Sequence, residues 1–189
     1  MCIRDTTYGD GSVVELTPSG KKWTENILYD FSVNGGGPAA YAPLTSDKNG
    51  NLYGVAGVFG QNASGIVYEL KPENGGWTFN VIYGFKGGKD GYGPASLIAD
   101  EAGNLYGTTE IGGASTNCDG GGCGTVFKLT PTKNGWHETV VYSFQGGASG
   151  ANPYGGLLLD KNGNLYGTTF YGGKKQCNLG CGVVFEIIP

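Results

Sequence analysis

The segment Gly103-Asn-Leu-Tyr-Gly-Thr-Thr109, followed after a glycine-rich loop by Gly124-Thr-Val-Phe-Lys-Leu-Thr-Pro131, decides the fold because both parts recur along the chain. Copies of the first part are Gly50–Gly54 and Gly163–Gly167, and copies of the second begin at Gly11, Gly65 and Gly182. A third motif starts with Trp and ends in Tyr-x-Phe, at Trp23–Phe31, Trp77–Phe85 and Trp136–Phe144. A period of roughly 50 to 60 residues is typical of repeat architectures.

Each period holds four strand-length segments separated by turn residues. In the third unit they are Gly156–Asp160, Asn164–Phe170, Gly182–Ile188 and, one unit earlier, Trp136–Phe144. Consecutive antiparallel strands with short links form a meander, and four of them per period make a propeller blade. We predict an all-β, β-propeller-type array of four-stranded antiparallel blades, two whole and two partial. The predicted units are 1–37 (partial), 38–93, 94–152 and 153–189 (partial).

Alternation along the second motif predicts how these sheets pack. One face carries an aromatic or valine and then Leu or Ile, namely Val14, Tyr68, Phe127 and Phe185 with Leu16, Leu70, Leu129 and Ile187. The other carries a valine and then a charged residue, namely Val13, Val67, Val126 and Val184 with Glu15, Glu69, Lys128 and Glu186. One sheet cannot bury two apolar faces by itself, so we expect the sheets to stack.

Both ends of the chain fall inside a unit. Asp5-Thr-Thr-Tyr-Gly-Asp10 matches the Thr-Thr part of the first motif, while Met1–Arg4 do not match, and the last unit stops before its Trp strand. We expect a fragment of a larger propeller, with the remaining blades of a longer protein, or less favourably a second chain, as neighbours.

Charge and composition narrow the function classes. The net charge of −4 and the scattered twelve basic residues argue against nucleic acid as a partner. No apolar run reaches the roughly 20 residues of a membrane span. The units carry the same groups each time, whereas catalysis needs different groups converging once. We therefore expect no catalytic residues and no cofactor or metal; the binding residues stay unassigned.

The motifs resemble the GloVer tandem repeat of large bacterial proteins, the "choice-of-anchor" family first noted in Gloeobacter and Verrucomicrobia sequences. Residues 103–131 match its pattern closely, and the resemblance covers nearly the whole chain. It implies a secreted or surface-attached bacterial protein and supplies no catalytic residues. Val55-Ala56 replaces the usual Thr-Thr pair, which indicates that this pair is not an indispensable site.

Two cysteine pairs occupy the same variable loop of successive units. Cys118 and Cys123 form one pair and Cys177 and Cys181 the other, while Cys2 is left over. Local structural disulfides in an oxidising compartment are the favoured interpretation. A four-cysteine zinc site and free thiols are the alternatives.

Three further patterns have both a chemical and a structural interpretation. The Asp-x-Asn-Gly-Asn element at Asp47 and Asp160, with a variant at Asp100, resembles the start of a calcium loop but lacks its other ligands, so a hairpin turn is favoured. The single histidine, His137, lies at a surface strand position. The recurring aromatic residues could stack on sugars, but interblade packing is the better explanation; they are Trp23, Trp77, Trp136, Tyr53, Tyr106 and Tyr166.

The function predicted from the sequence is an extracellular, non-catalytic module for binding or surface architecture. A glycan or another surface ligand is a possible partner class. The alternative is a fragment of a propeller enzyme, of lactonase or glycan-cleaving type, whose catalytic groups lie outside this chain.

Overall fold

A computed structural model describes residues 11–31, 42–57, 64–173 and 180–188, and these form four antiparallel sheets. The first sheet is β1 (Ser12–Ser19) and β2 (Lys22–Asp30). The second is β3 (Thr45–Ser46), β4 (Leu52–Ala56), β5 (Ile66–Glu73) and β6 (Gly76–Gly84). The third is β7 (Tyr92–Ala99), β8 (Leu105–Ile111), β9 (Thr125–Thr132) and β10 (Gly135–Ser143). The fourth is β11 (Leu158–Leu159), β12 (Leu165–Thr168) and β13 (Val184–Ile187).

The second and third sheets are four-stranded meanders in which strands pair in chain order. Two of the four sheets are thus whole blades, and the all-β, propeller-type prediction is confirmed. The unit boundaries stay a prediction, and the match at 5–10 lies outside the described residues. A register shift recurs near the start of the second motif's strand, between Val13 and Val14 and between Val67 and Tyr68.

The sheets stack through two different faces. We call the side with Val13, Val67, Val126 and Val184 the valine face, and the side with Val14, Tyr68, Phe127 and Phe185 the aromatic face. Each joint between consecutive sheets packs the valine face of one sheet against the aromatic face of the next, as the three core clusters show. In the second joint, for example, Val67 packs in one cluster with Phe127 and Leu129.

Burial at these joints supplies the driving force for stacking. Val67, Val126, Phe127 and Leu129 all have 0% exposure. Full burial of such a side chain contributes about 1.5 to 3 kcal/mol. Because the second and third sheets each bury both faces against a neighbour, the described array is held together by its joints.

The meander separates two ends of the sheets. The hairpin turns β3–β4, β5–β6, β7–β8 and β9–β10 lie at one end, which we call the turn face. The loops β4–β5 and β8–β9 and the links between sheets lie at the other, the loop face. On the loop face, the Gly112-Gly113 pair contacts the link between the second and third sheets, since Gly113 N donates a hydrogen bond to Gly88 O at 2.8 Å. A β-carbon on Gly112 would lie 2.6 Å from Gly91 Cα, so only glycine fits.

Candidate functional site

The Asp-x-Asn-Gly-Asn element forms a closed hairpin turn between β3 and β4. Asp47 Oδ1 accepts hydrogen bonds from the backbone N–H of Asn49 at 2.9 Å and of Asn51 at 3.0 Å. Asp47 Oδ2 accepts from Asn51 Nδ2 at 2.8 Å. Gly50 has φ of +83°, a left-handed conformation that glycine adopts without strain. The backbone amides thus hold the carboxylate inside the turn.

The same geometry recurs in the next two units. Asp100 accepts from Asn104 N at 2.8 Å and Asn104 Nδ2 at 2.7 Å, although the residues between them differ from those of the other copies. Asp160 accepts from Asn162 N at 2.8 Å and Asn164 N at 2.9 Å. The hairpin-turn interpretation is confirmed, because amide donors surround oxygens that a calcium ion would need.

These hydrogen bonds favour the ionised form of two of the carboxyls. Burial raises the pKa of Asp47, but hydrogen bonds from Asn51 and Asn49 outweigh it, so the pKa lies below its ordinary value. Burial likewise raises the pKa of Asp160, and the amides of Asn164 and Asn162 bring it below the ordinary value. The turns of Asp47 and Asp160 are therefore built around a charged aspartate at neutral pH.

A tyrosine hydroxyl extends the turn toward the neighbouring strand. Tyr53 OH lies 3.3 Å from Asp47 Oδ2 and 3.1 Å from Glu69 Oε1. Burial, followed by the negative charge of Glu69, raises the pKa of Tyr53. In the third sheet Lys128 takes the place of the glutamate, with Nζ 5.3 Å from the Tyr106 ring centroid.

A cleft of about 770 Å³ opens on the turn face between the second and third sheets. One wall is the β3–β4 turn and the other is the β7–β8 turn, with Pro131 and Trp136 of the third sheet completing it. The polar rim consists of Ser46, Asp47, Lys48, Asn49, Asn51, Asp100 and Glu101. The cleft, which we call the turn cleft, combines an aromatic side chain with carboxylate, amide and ammonium groups.

Of the predicted aromatic residues, Trp136 and Tyr53 line both the second joint and the turn cleft. The Trp136 ring lies 5.9 Å from that of Tyr53, at 70°. Tyr53 and Tyr106 are buried in core clusters between sheets, which confirms the interblade-packing interpretation for them. Trp77 packs against the first joint, whereas Trp23 is 67% exposed on the first sheet.

The threonine pair is buried and structural. Thr108 Oγ1 lies 2.9 Å from Ser96 Oγ, and Thr109 Oγ1 lies 2.8 Å from Thr125 Oγ1. Both threonines have 0% exposure. Each hydroxyl is hydrogen-bonded to a hydroxyl on a neighbouring strand and is shielded from any ligand.

A disulfide joins Cys118 and Cys123 on the loop face. Cys123 packs in the core cluster of the third joint, and the neighbouring Asn117 Nδ2 donates to Gln145 O at 3.0 Å. The bridge thus holds the β8–β9 loop against the link that leads to the fourth sheet. Cys2 and Cys177 lie outside the described residues, so the pairing of Cys177 with Cys181 stays a prediction.

Sequence reasoning missed a pair of carboxyls at the second joint. Tyr83 OH donates to Asp90 Oδ2 at 3.0 Å, and Lys86 N donates to the same oxygen at 3.0 Å. Asp90 Oδ1 and Glu138 Oε1 are buried without a hydrogen-bond partner. Burial raises the pKa of Glu138 to about 7, with the charge of Asp90 adding and that of Lys86 opposing.

The remaining candidate features are the single histidine, a metal-binding cluster and a membrane-spanning helix. His137 is exposed on β10, at the surface position that its repeat register predicts. Within the described ranges, no three His, Cys, Asp or Glu side chains lie close enough together to hold a metal ion. In the same part of the chain no helix has the length and apolar character of a membrane span.

The family model of the Gloeobacter/Verrucomicrobia repeat matches residues 1–189. The chain belongs to this family. The resemblance read from the three motifs is thereby confirmed, and the chain is a repeat module. In this Gloeobacter/Verrucomicrobia repeat, the recurring Asp, Asn and Tyr side chains form the turns, and the recurring valines and most of the aromatics form the joints.

A gluconolactonase from Xanthomonas campestris, described as important in glucose secondary metabolic pathways, is among the similar solved structures. It has a TM-score of 0.48 and 17% identity, over 77% of this chain and 46% of the enzyme. The chain thus spans just under half the length of that enzyme. No curated protein matches the sequence at a significant level.

Proposed function

We propose that this chain is an extracellular, non-catalytic binding module whose ligand lies in the turn cleft. The observation that carries the proposal is the placement of Trp136 beside the polar groups of two successive turns. An aromatic ring offers a flat apolar surface, while the rim offers hydrogen-bond donors and acceptors. A hydroxyl-rich ligand such as a glycan has both chemistries, since its C–H face packs on a ring and its hydroxyls bond the rim.

The chemistry of the other repeated groups supports a binding role over catalysis. Asp47, Asp100 and Asp160 accept hydrogen bonds from their own turns. The hydroxyls of Thr108 and Thr109 are hydrogen-bonded to those of Ser96 and Thr125. These hydrogen bonds fix the aspartates in their turns and the threonines between strands, which are structural roles. The Cys118–Cys123 disulfide supports an oxidising compartment, and therefore an extracellular or cell-surface location.

A glycan array probed with the chain tests the proposal. We expect binding by the unmodified chain, and a loss of at least about tenfold in affinity for Trp136→Ala, as expected for an aromatic anchor. Asn49→Ala is a second variant. Asn49 is exposed on the rim of the turn cleft, so replacing it leaves the packing of the joint unchanged. Trp23→Ala is the matched control, because Trp23 has the same place in its unit but does not line the turn cleft.

Three results would overturn the proposal, and the first two concern the unmodified chain. One is the absence of any array signal for the unmodified chain. The other is hydrolysis of a sugar lactone or a glycan by the unmodified chain, with or without added divalent metal, which would establish the enzyme alternative. Equal loss with Trp136→Ala and Trp23→Ala would place the ligand outside the turn cleft.

A further inference from the structure

Each internal joint pairs two unlike surfaces. In the first joint Val13 of the valine face packs in one cluster with Tyr68 and Leu70 of the aromatic face. In the second joint Val67 packs with Phe127 and Leu129, and the third brings Val126 into a cluster with Phe185 and Ile187 as its partly buried neighbours. A valine face is therefore the regular partner of an aromatic face.

The fourth sheet presents a valine face that the described chain leaves open. Val184 is 81% exposed, although Val67 and Val126 at the same repeat position are 0% exposed. Leu158, which pairs with Tyr166 on this face, is 62% exposed. Tyr166 OH donates to Glu186 Oε1 at 2.7 Å, as Tyr53 does to Glu69 in the second sheet. The valine face of the fourth sheet thus has the same arrangement of side chains as the valine faces buried at the internal joints.

The first sheet presents the complementary surface. Its aromatic face carries Val14 and Leu16, which are half-buried where Tyr68 and Leu70 of the next sheet are fully buried. Trp23 on the same face is exposed, whereas its counterpart Trp136 contacts Tyr53 across the second joint. One half of a joint is therefore present at each end of the array.

We propose that a second copy of this chain docks head-to-tail, with the valine face of its fourth sheet on the aromatic face of the first sheet. The docked pair repeats the internal joint, so that Tyr166 of one copy lies against Trp23 of the other as Tyr53 lies against Trp136. Such a heterologous contact closes into a ring or continues as a longer array, depending on the rotation between copies.

Charge favours this arrangement over contacts between like faces. Two valine faces would bring together the two copies of Glu186, and two aromatic faces would bring together the two copies of Glu25, which is exposed on that surface. Opposed like charges destabilise an interface. The unlike pairing keeps the two copies of each glutamate apart and sets Glu186 and Glu25 at the repeat positions that Glu69 and Glu138 hold in the second joint. It also buries the exposed valine and tryptophan together.

Sedimentation of the chain over a concentration series tests the docking. Every sample carries Cys2→Ser, so that a disulfide between copies cannot imitate association. We expect mass to rise with concentration up to about 100 µM, a range in which a weak specific contact is populated. A chain that stays monomeric throughout overturns the proposal; further repeat units of a longer protein would then be the occupants of these faces.

A complementation experiment tests the polarity. Val184→Glu blocks one face and Trp23→Glu the other, and both sites are exposed, so folding is preserved and checked by thermal melting. Each variant alone should associate at least about tenfold more weakly than the parent chain. Their equimolar mixture should recover a dimer, because one intact valine face and one intact aromatic face remain. The two blocked faces carry the same charge and cannot pair.

Two outcomes of the complementation experiment contradict head-to-tail docking, and a third comes from a control variant. A single variant that still dimerises as strongly as the parent indicates a contact between like faces, and a mixture that stays monomeric indicates that the two faces do not meet. His137→Glu adds the same charge at an exposed site away from both faces and should leave association unchanged. Loss of association with this control would likewise contradict the proposal.

Discussion

The first and second joints pack the same two faces of consecutive sheets, but they differ in the side chains of their outer strands. In the first, the rings of Tyr29 and Phe79 stack with centroids 4.4 Å apart and an interplanar angle of 9°. In the second, Tyr83 occupies the place of Tyr29, but Glu138 occupies the place of Phe79. Tyr83 instead donates to Asp90, and one oxygen each of Asp90 and Glu138 is buried without a partner.

The difference shows which part of a joint the fold requires. The valine and aromatic faces near the middle strands are fully buried in both joints, so the fold depends on them. The outer strands tolerate either a ring stack or a pair of acids. Buried carboxyl oxygens without partners carry a desolvation cost, so the second joint gives up stability at its outer edge.

Replacing the ring in the first joint should have the largest effect. Phe79→Glu removes the stack on Tyr29 and sets a carboxylate among the rings of Phe31 and Tyr68. We expect a loss of about 3 kcal/mol in the free energy of unfolding, measured by urea denaturation at pH 7. Phe79→Leu keeps the site apolar and should cost about 1 kcal/mol. Equal losses would show that the carboxylate itself is tolerated in this joint.

The third joint extends the comparison, because the Cys118–Cys123 disulfide lies beside it. The double variant Cys118→Ser, Cys123→Ser should lower the free energy of unfolding by about 2 kcal/mol, the value expected for so short a loop. Denaturation of the parent chain with and without a reductant should give at least this difference, because a reductant also opens the predicted Cys177–Cys181 disulfide. Mass spectrometry would contradict the disulfide if reduction left the mass of the fragment containing both cysteines unchanged.

The acidic pair makes the second joint pH-dependent. The pKa of Glu138 is raised from 4.5 to about 7 in the folded chain, so the protonated form favours folding. Its contribution to stability is present below pH 4.5 and is lost as the pH rises through 7. Glu138→Gln should therefore be more stable than the parent by about 1 kcal/mol at pH 8, after allowing for solvent screening, and equally stable at pH 4.

Melting temperatures of the two chains from pH 4 to 8 measure this difference. Glu25→Gln is the matched control, since Glu25 has the same repeat position but is exposed on the first sheet. It should leave the pH profile unchanged. A Glu138→Gln profile parallel to that of the parent across the whole range would contradict the assignment.

The repeated features were predictable from the sequence, since each is specified by residues close together in the chain. The strands, the Asp47, Asp100 and Asp160 turns and the packing of Tyr53 and Tyr106 follow from motif and alternation. The turn cleft was not predicted, because its walls come from different units and its shape depends on how the sheets are stacked. Asp90 and Glu138 were not predicted because the repeat motifs are defined by positions where the units agree, and at the place of Glu138 they differ. The sequence feature that could have identified this site is the difference between units, because Glu138 stands at the repeat position that Phe79 holds in the preceding unit.

The closed turn around each aspartate bears on how the chain folds and how it arose. The hydrogen bonds that Asp100 accepts from Asn104 are local, so the β7–β8 turn can form without contacts from another sheet. A duplicated gene segment would carry this turn with it. Tandem duplication could then lengthen such an array without redesigning its joints, and point substitutions such as the one at Glu138 would later make individual copies distinct.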